Sequence, residues 1–144
     1  DLTFEVSREP ENGGVAIDGS VAFYTPAEGF SGEDSFAYVA SDGEFTSAPA
    51  EVALTVENAL PIADPTSAPG VEDEPLTVEL TGSDADGDPL TFEIVEPPRR
   101  GEAILEGQTV TYTPRADFSG TDEFQFVVND GDAASDPAIV TLYF

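Results

Sequence analysis

Tyr112-Thr113-Pro114, then Phe118-Ser119-Gly120-Thr121-Asp122-Glu123-Phe124-Gln125-Phe126-Val127-Val128-Asn129-Asp130-Gly131, is the stretch that decides the fold. A strand closes on Tyr-Thr-Pro, and a Phe-Ser-Gly loop follows it. An aromatic and β-branched run then enters an Asp-Gly turn, which is the grammar of antiparallel strands. The same stretch occurs 88 residues earlier as Tyr24-Thr25-Pro26, Phe30-Ser31-Gly32, Asp34, Phe36 and Asp42-Gly43.

Working outward, residues 2–56 align with 90–144 without a gap, and 23 of the 55 aligned positions are identical. Leu2-Thr3-Phe4-Glu5 recurs as Leu90-Thr91-Phe92-Glu93. Repetition at this length means modules in series, each with its own core, rather than a short-period solenoid. A chain of 144 residues holds fewer than two such units, so one unit is expected to be incomplete. The expected boundaries are 1–57 for a repeat that lacks its first strands and 58–144 for a complete repeat.

Val52 to Val56, Leu76 to Leu80 and Thr109 to Tyr112 alternate in the manner of half-buried strands. Gly13-Gly14, Asp18-Gly19, Asp86-Gly87, Glu106-Gly107 and the two later Asp-Gly pairs break them at short intervals. No window of helical length carries an apolar stripe free of Pro and Gly. Strands are expected near 76–80, 90–95, 102–105, 109–113, 123–128 and 138–143, with an edge strand near 61–64. The fold class is therefore all-β, a Greek-key β-sandwich of about immunoglobulin size. The first repeat shows only the later strands, and a sandwich without its first strands exposes apolar surface and open edges. A neighbouring chain, or a rearranged use of residues 58–88, is expected to complete it. Residues 58–75, rich in Pro and Ala, are expected to form an extended, fairly stiff linker.

The charge is extreme, with 30 acidic residues against four arginines, no lysine and no histidine, for a net charge of −26. Nucleic acid is excluded as a partner because no basic surface exists to displace its counterions. Membrane insertion is not expected, since no long apolar run is present. Without His or Cys there is no imidazole-based triad and no thiol nucleophile. No spacing singles out a catalytic carboxylate pair. The chain is not expected to be an enzyme. Zinc lacks its soft and imidazole ligands, whereas divalent cations of the hard type would be attracted.

Asp84, Asp86 and Asp88 alternate within a Gly-containing loop, so their side chains converge if the loop curls. Ca²⁺ takes six to eight oxygens, mostly carboxylate and carbonyl. An EF-hand does not fit, because Gly87 falls at the fourth position of such a loop and Val95 at the twelfth. The competing reading of these aspartates is a solvated acidic loop whose side chains cap turns. Asp34 and Asp122 read as loop aspartates that accept backbone N–H bonds where the chain enters a strand. Tyr24, Phe30, Phe36, Tyr112, Phe118 and Phe124 read as core and corner residues rather than sugar platforms.

Asp84-x-Asp86-Gly87-Asp88-x-Leu90-Thr91-Phe92, Tyr112-Thr113-Pro114, Phe118-x-Gly120-x-Asp122-x-Phe124 and the closing Asp130-Gly131 together resemble one family. It is the cadherin-like and immunoglobulin-like tandem repeats of large bacterial surface and secreted proteins. In cadherin-type arrays calcium sits between successive domains, which implies Asp84 and Asp86 as an Asp-x-Asp pair, Asp130 as a late-strand ligand and Asn58 as a linker ligand. Ala59 departs from the pattern, where Asp is common. The resemblance implies a calcium-stiffened spacer or adhesive segment, outside the cell or on its surface. Its partners would be neighbouring repeats and a cell-surface glycan or protein. The alternative is a calcium-dependent carbohydrate-binding module.

Overall fold

A computed structural model describes residues 1–144, all in strands, turns and loops. It divides into two units, Asp1–Asn58 and Ala59–Phe144.

The second unit shows why alternation produces a sandwich. In β12 (Thr109–Pro114) the residues Val110, Tyr112 and Pro114 are buried and the intervening threonines are more exposed. In β13 (Thr121–Asn129) Asp122, Phe124, Phe126 and Val128 point inward with the same period of two. Each strand therefore has one dry face, and two sheets close on each other. One sheet runs β10 (Thr91–Glu96), β13, β14 (Ala138–Tyr143) and β7 (Thr66–Pro69); the other runs β11 (Gly101–Glu106), β12 and β8 (Leu76–Glu79). All pairings are antiparallel except β14 with β7, which is parallel. The chain crosses from one sheet to the other between β7 and β8 and again after β8, which is the Greek-key course expected. Leu80, Val110, Tyr112, Phe124, Phe126, Val128, Val140 and Leu142 are fully buried between the sheets.

Two short strands, β6 (Ile62–Ala63) and β9 (Gly82–Ser83), form a separate antiparallel ribbon. Residues 58–75 are thus not simply a linker. β6 pairs with β9 and β7 pairs with β14, and Ala63 is buried in the core. Their backbone groups find partners only because distant strands present open edges to them.

The first unit repeats this plan strand for strand at the same offset. β1 (Thr3–Arg8), β4 (Gly32–Ser41) and β5 (Ala50–Val56) form one sheet, and β2 (Gly13–Asp18) pairs with β3 (Val21–Pro26). Even the register irregularity recurs, between Val6 and Arg8 in β1 and between Ile94 and Glu96 in β10. No strand covers β3 or β5 as β8 and β7 cover β12 and β14. The consequence is visible in burial. Phe36 and Ala37 are buried, but Tyr24, Tyr38, Val52 and Leu54 are only half-buried where Tyr112, Phe126, Val140 and Leu142 are fully so. Residues 58–88 take no part in this unit's sheets; their strands pair within the second.

Candidate metal centre

Three kinds of aspartate stand out in this acidic chain, and their hydrogen bonds separate them. Asp122, at the start of β13, is 5% exposed. Its carboxylate accepts the backbone N–H groups of Arg99, Arg100 and Glu123, and the Tyr112 hydroxyl donates to its Oδ2 at 2.8 Å. Burial pushes this carboxyl up, but the four donors outweigh it and hold it below the ordinary value. The same burial, with Asp122 beside it, pushes the Tyr112 phenol well up. Asp34 repeats the arrangement with Glu11, Asn12, Ser35 and Tyr24. These two are structural clasps, as the sequence reading has them.

Asp42 and Asp130 cap hairpin turns. Asp130 Oδ1 accepts the N–H groups of Asp132 and Ala133 at 2.7 Å each, and Asp42 Oδ1 accepts those of Glu44 and Phe45. The turn chemistry anticipated for Asp-Gly is therefore present at both.

Asp84, Asp86 and Asp88 behave differently. They follow β9 and lead into β10, in a loop that turns at Gly87 with φ +79. Each is half-buried, and one carboxylate oxygen from each lies within 4.8 Å of the others. Asp84 Oδ1 curls the loop by accepting the N–H groups of Asp86 and Asp88 at 2.9 and 3.1 Å. Asp84 Oδ2 is buried with no hydrogen-bond partner. Asp86 Oδ2 accepts the Ala59 N–H at 2.7 Å, which ties the loop to the first residue of the second unit. Burial pushes the Asp88 carboxyl up, and the charges of Asp84, Asp86, Asp130 and Asp132 push it further the same way.

Of the expected ligands, the structure gathers Asp84, Asp86 and Asp88. It sets Asp130 near enough for its charge to act on Asp88, because Thr91 at the start of β10 lies opposite Asn129 at the end of β13. Asn58 is half-buried and is the last residue of the first unit, whereas the four aspartates lie in the second. Sequence reading missed a second acidic group, Glu72, Asp73 and Asp117, which is exposed. Its only signal was the residue type, since Glu72 and Asp117 are 45 positions apart. The Asp117 N–H donates to Asp73 there, and both residues adopt positive φ. Solvation and turn geometry account for that group.

A cation fits the loop of Asp84, Asp86 and Asp88 on two grounds. Three carboxylates at this separation repel one another, and the buried Oδ2 of Asp84 lacks the partner that such an atom needs. The donor set is all oxygen, which suits a hard cation such as Ca²⁺. No helix is long and apolar enough to cross a membrane.

Among curated proteins none matches the chain by sequence. Among solved structures, an endo-fucoidan hydrolase from glycoside hydrolase family 107 aligns over 99% of this chain and 23% of its own, at 19% identity and TM-score 0.47. The EC1-2 segment of human mucin-like protocadherin aligns over 99% of this chain and 83% of its own, at 14% identity and TM-score 0.46. Fibronectin(III)-like modules of Clostridium thermocellum CbhA align over 96% and 77%, at 23% identity and TM-score 0.40. The chain spans about a quarter of the fucoidan hydrolase chains it resembles. The family model for the bacterial Ig domain matches residues 1–55 and again residues 58–143. Such domains are typical structural or adhesive repeats of extracellular and surface proteins. With nearly the whole length matched, in two copies that repeat one strand order, the chain belongs to the bacterial Ig domain family.

Proposed function

We propose that this chain is a calcium-stiffened spacer or adhesive segment of an extracellular bacterial repeat protein. The observation that carries the reading is the loop of Asp84, Asp86 and Asp88, with its gathered carboxylates and the partnerless buried oxygen of Asp84. Bound there, Ca²⁺ would neutralise the mutual repulsion and supply the missing partner. The stiffening follows from one hydrogen bond. Asp86 holds the N–H of Ala59, so a cation that fixes Asp86 also fixes the segment by which the chain enters the second unit. Asp84, Asp86 and Asp88 are the ligands, and Asp130 lends its charge from the adjacent turn. The chain needs no catalytic residue for this role.

Thermal unfolding in excess EDTA and in millimolar CaCl₂, both in high NaCl, tests the reading. A rise of several degrees specific to calcium is expected, and Asp86→Asn should abolish it. No calcium-specific rise, or a rise that survives Asp86→Asn, would overturn the assignment.

A further inference from the structure

Arg99, Arg100 and Arg115 are three of the four cationic side chains in the protein, and the fold brings their backbones to one corner of the second unit. The Arg115 N–H donates to the Arg100 carbonyl at 2.9 Å, which continues the ladder that pairs Gly101 with Pro114. Residues 100 and 115 are therefore direct cross-strand neighbours. Such neighbours have Cα atoms about 5.5 Å apart and side chains on one face, where like charges repel. All three arginines are exposed. Arg8 pairs with Glu51 and Arg99 with Glu96, yet neither Arg100 nor Arg115 forms an ion pair in a chain with 30 acidic residues.

The internal repeat separates what the fold needs at this corner from what it does not. Asp122 pins the turn by accepting the N–H groups of Arg99 and Arg100. Asp34 pins the equivalent turn through the N–H groups of Glu11 and Asn12. The clasp uses backbone groups alone, so it forms equally with Glu11, Asn12 and Ala27 where the second unit has Arg99, Arg100 and Arg115. Folding of the turn gives no reason for the arginines. Their base is nevertheless rigid, because Pro97 and Pro98 precede them and Asp122 fixes the backbone from which two of them project.

We propose that Arg100 and Arg115 bind a single anionic group, a sulfate or a carboxylate, carried by a sugar chain. Guanidinium forks take the oxygens of such a group in pairs, and the anion removes the repulsion between the two cations. Arg99, shared with Glu96, adds charge from the side. Two residues along each strand, Glu102 lies opposite Thr113, both exposed. With a period of two they share the face of the arginine pair. Their carboxylate and hydroxyl match the hydroxyls that flank a charged group on a sugar. Three arginines are too few to track a nucleic-acid backbone. The net charge of −26 repels a densely charged polymer or a second copy of the chain, whereas a sparsely charged glycan meets mainly the local field. The site shares no residue with the loop of Asp84, Asp86 and Asp88 and needs no calcium.

Two-dimensional NMR of the full chain in EDTA at low salt, titrated with short galactose oligosaccharides, tests the proposal. One oligosaccharide is sulfated, one is oxidised to the uronate and one is neutral. Saturable shifts are expected at the amides of Arg100, Glu102 and Arg115 with at least one charged form, and the form that binds names the anionic group. The neutral form should bind at least about tenfold more weakly, since it lacks the charge-assisted hydrogen bonds. Arg100→Gln with Arg115→Gln should abolish saturation, with unchanged β13 amides as the folding control. Absence of saturation, equal binding of the neutral form, or binding that survives the double substitution would overturn the proposal. So would an oligomer of the chain alone that the double substitution dissolves and the sugars do not, for the occupant would then be a second copy.

Discussion

Asp34 and Asp122 receive the same four donors in two units, yet they sit in different surroundings. Asp122 and its partner Tyr112 are buried, whereas Asp34 and Tyr24 are half-exposed. Hydrogen bonds to a buried charged group contribute more than those in contact with water. Asp122→Asn replaces an accepting oxygen by a donor facing N–H groups, and it should cost about 2–3 kcal/mol in chemical denaturation. Asp34→Asn should cost less. The pH dependence follows from the lowered carboxyl of Asp122. Its contribution is fully present above the ordinary value of 3.8 and is lost as pH falls through the lower folded value. Acid titration of wild type should therefore lose stability below that point, and Asp122→Asn should show a shallower loss. Gly101 belongs to the same clasp. A Cβ built there would collide with the Tyr112 ring and the Thr113 carbonyl, so the repeated glycine at 13 and 101 is what lets the tyrosine reach its aspartate.

At the scale of elements, the two copies of one strand make a controlled comparison. Leu142 in β14 is fully buried and covered by β7, while Leu54 in β5 is half-buried beside an open edge. Leu142→Ala should cost about 2–5 kcal/mol, the range for a core leucine that leaves a cavity. Leu54→Ala should cost clearly less, because water already reaches that side chain. Denaturation of the two variants with a probe in each unit measures the difference. The loop before β10 gives a prediction of opposite sign. Asp88 is pushed up by burial and by its acidic neighbours, so its ionised form opposes folding. In EDTA near neutral pH, Asp88→Asn should raise the melting temperature, while the calcium-dependent gain shrinks. A melting temperature that falls in both conditions would assign Asp88 a purely structural part.

For the whole molecule, unequal cores imply unequal stability. The largest fully buried side chains all belong to the second unit, so unfolding should resolve into two transitions, with the first unit melting earlier. Hydrogen exchange should show β4 unprotected under conditions that leave β13 protected. The net charge of −26 acts on both units. Adding NaCl should raise both transitions in EDTA and level off near molar concentration, where the screening length is about 3 Å.

Much of this was legible in the residues, for reasons that are local. Period-two alternation in Phe124-Gln125-Phe126-Val127-Val128, Asp-Gly turns and the 88-residue offset placed the main strands and the sandwich class, because side-chain direction in a strand depends only on parity. The clasp of Asp122 was legible too, since a short acidic side chain at a strand entry has few other uses. β7 was not. Thr66-Ser67-Ala68-Pro69 has weak strand propensity and pairs in parallel with residues more than 70 positions away. Its strand character comes from the open edge of β14 rather than from its own side chains. The convergence of Asp84, Asp86 and Asp88 was suggested by spacing, but the curl that brings it about depends on Asp84 Oδ1 turning back to the N–H groups of its neighbours. The sequence by itself determined the class of fold, the repeat and the acidity, all properties of residue type and order. Only the tertiary structure decided which edges are covered, which carboxylates meet and which buried oxygen lacks a partner, because each depends on contacts between residues far apart in the chain.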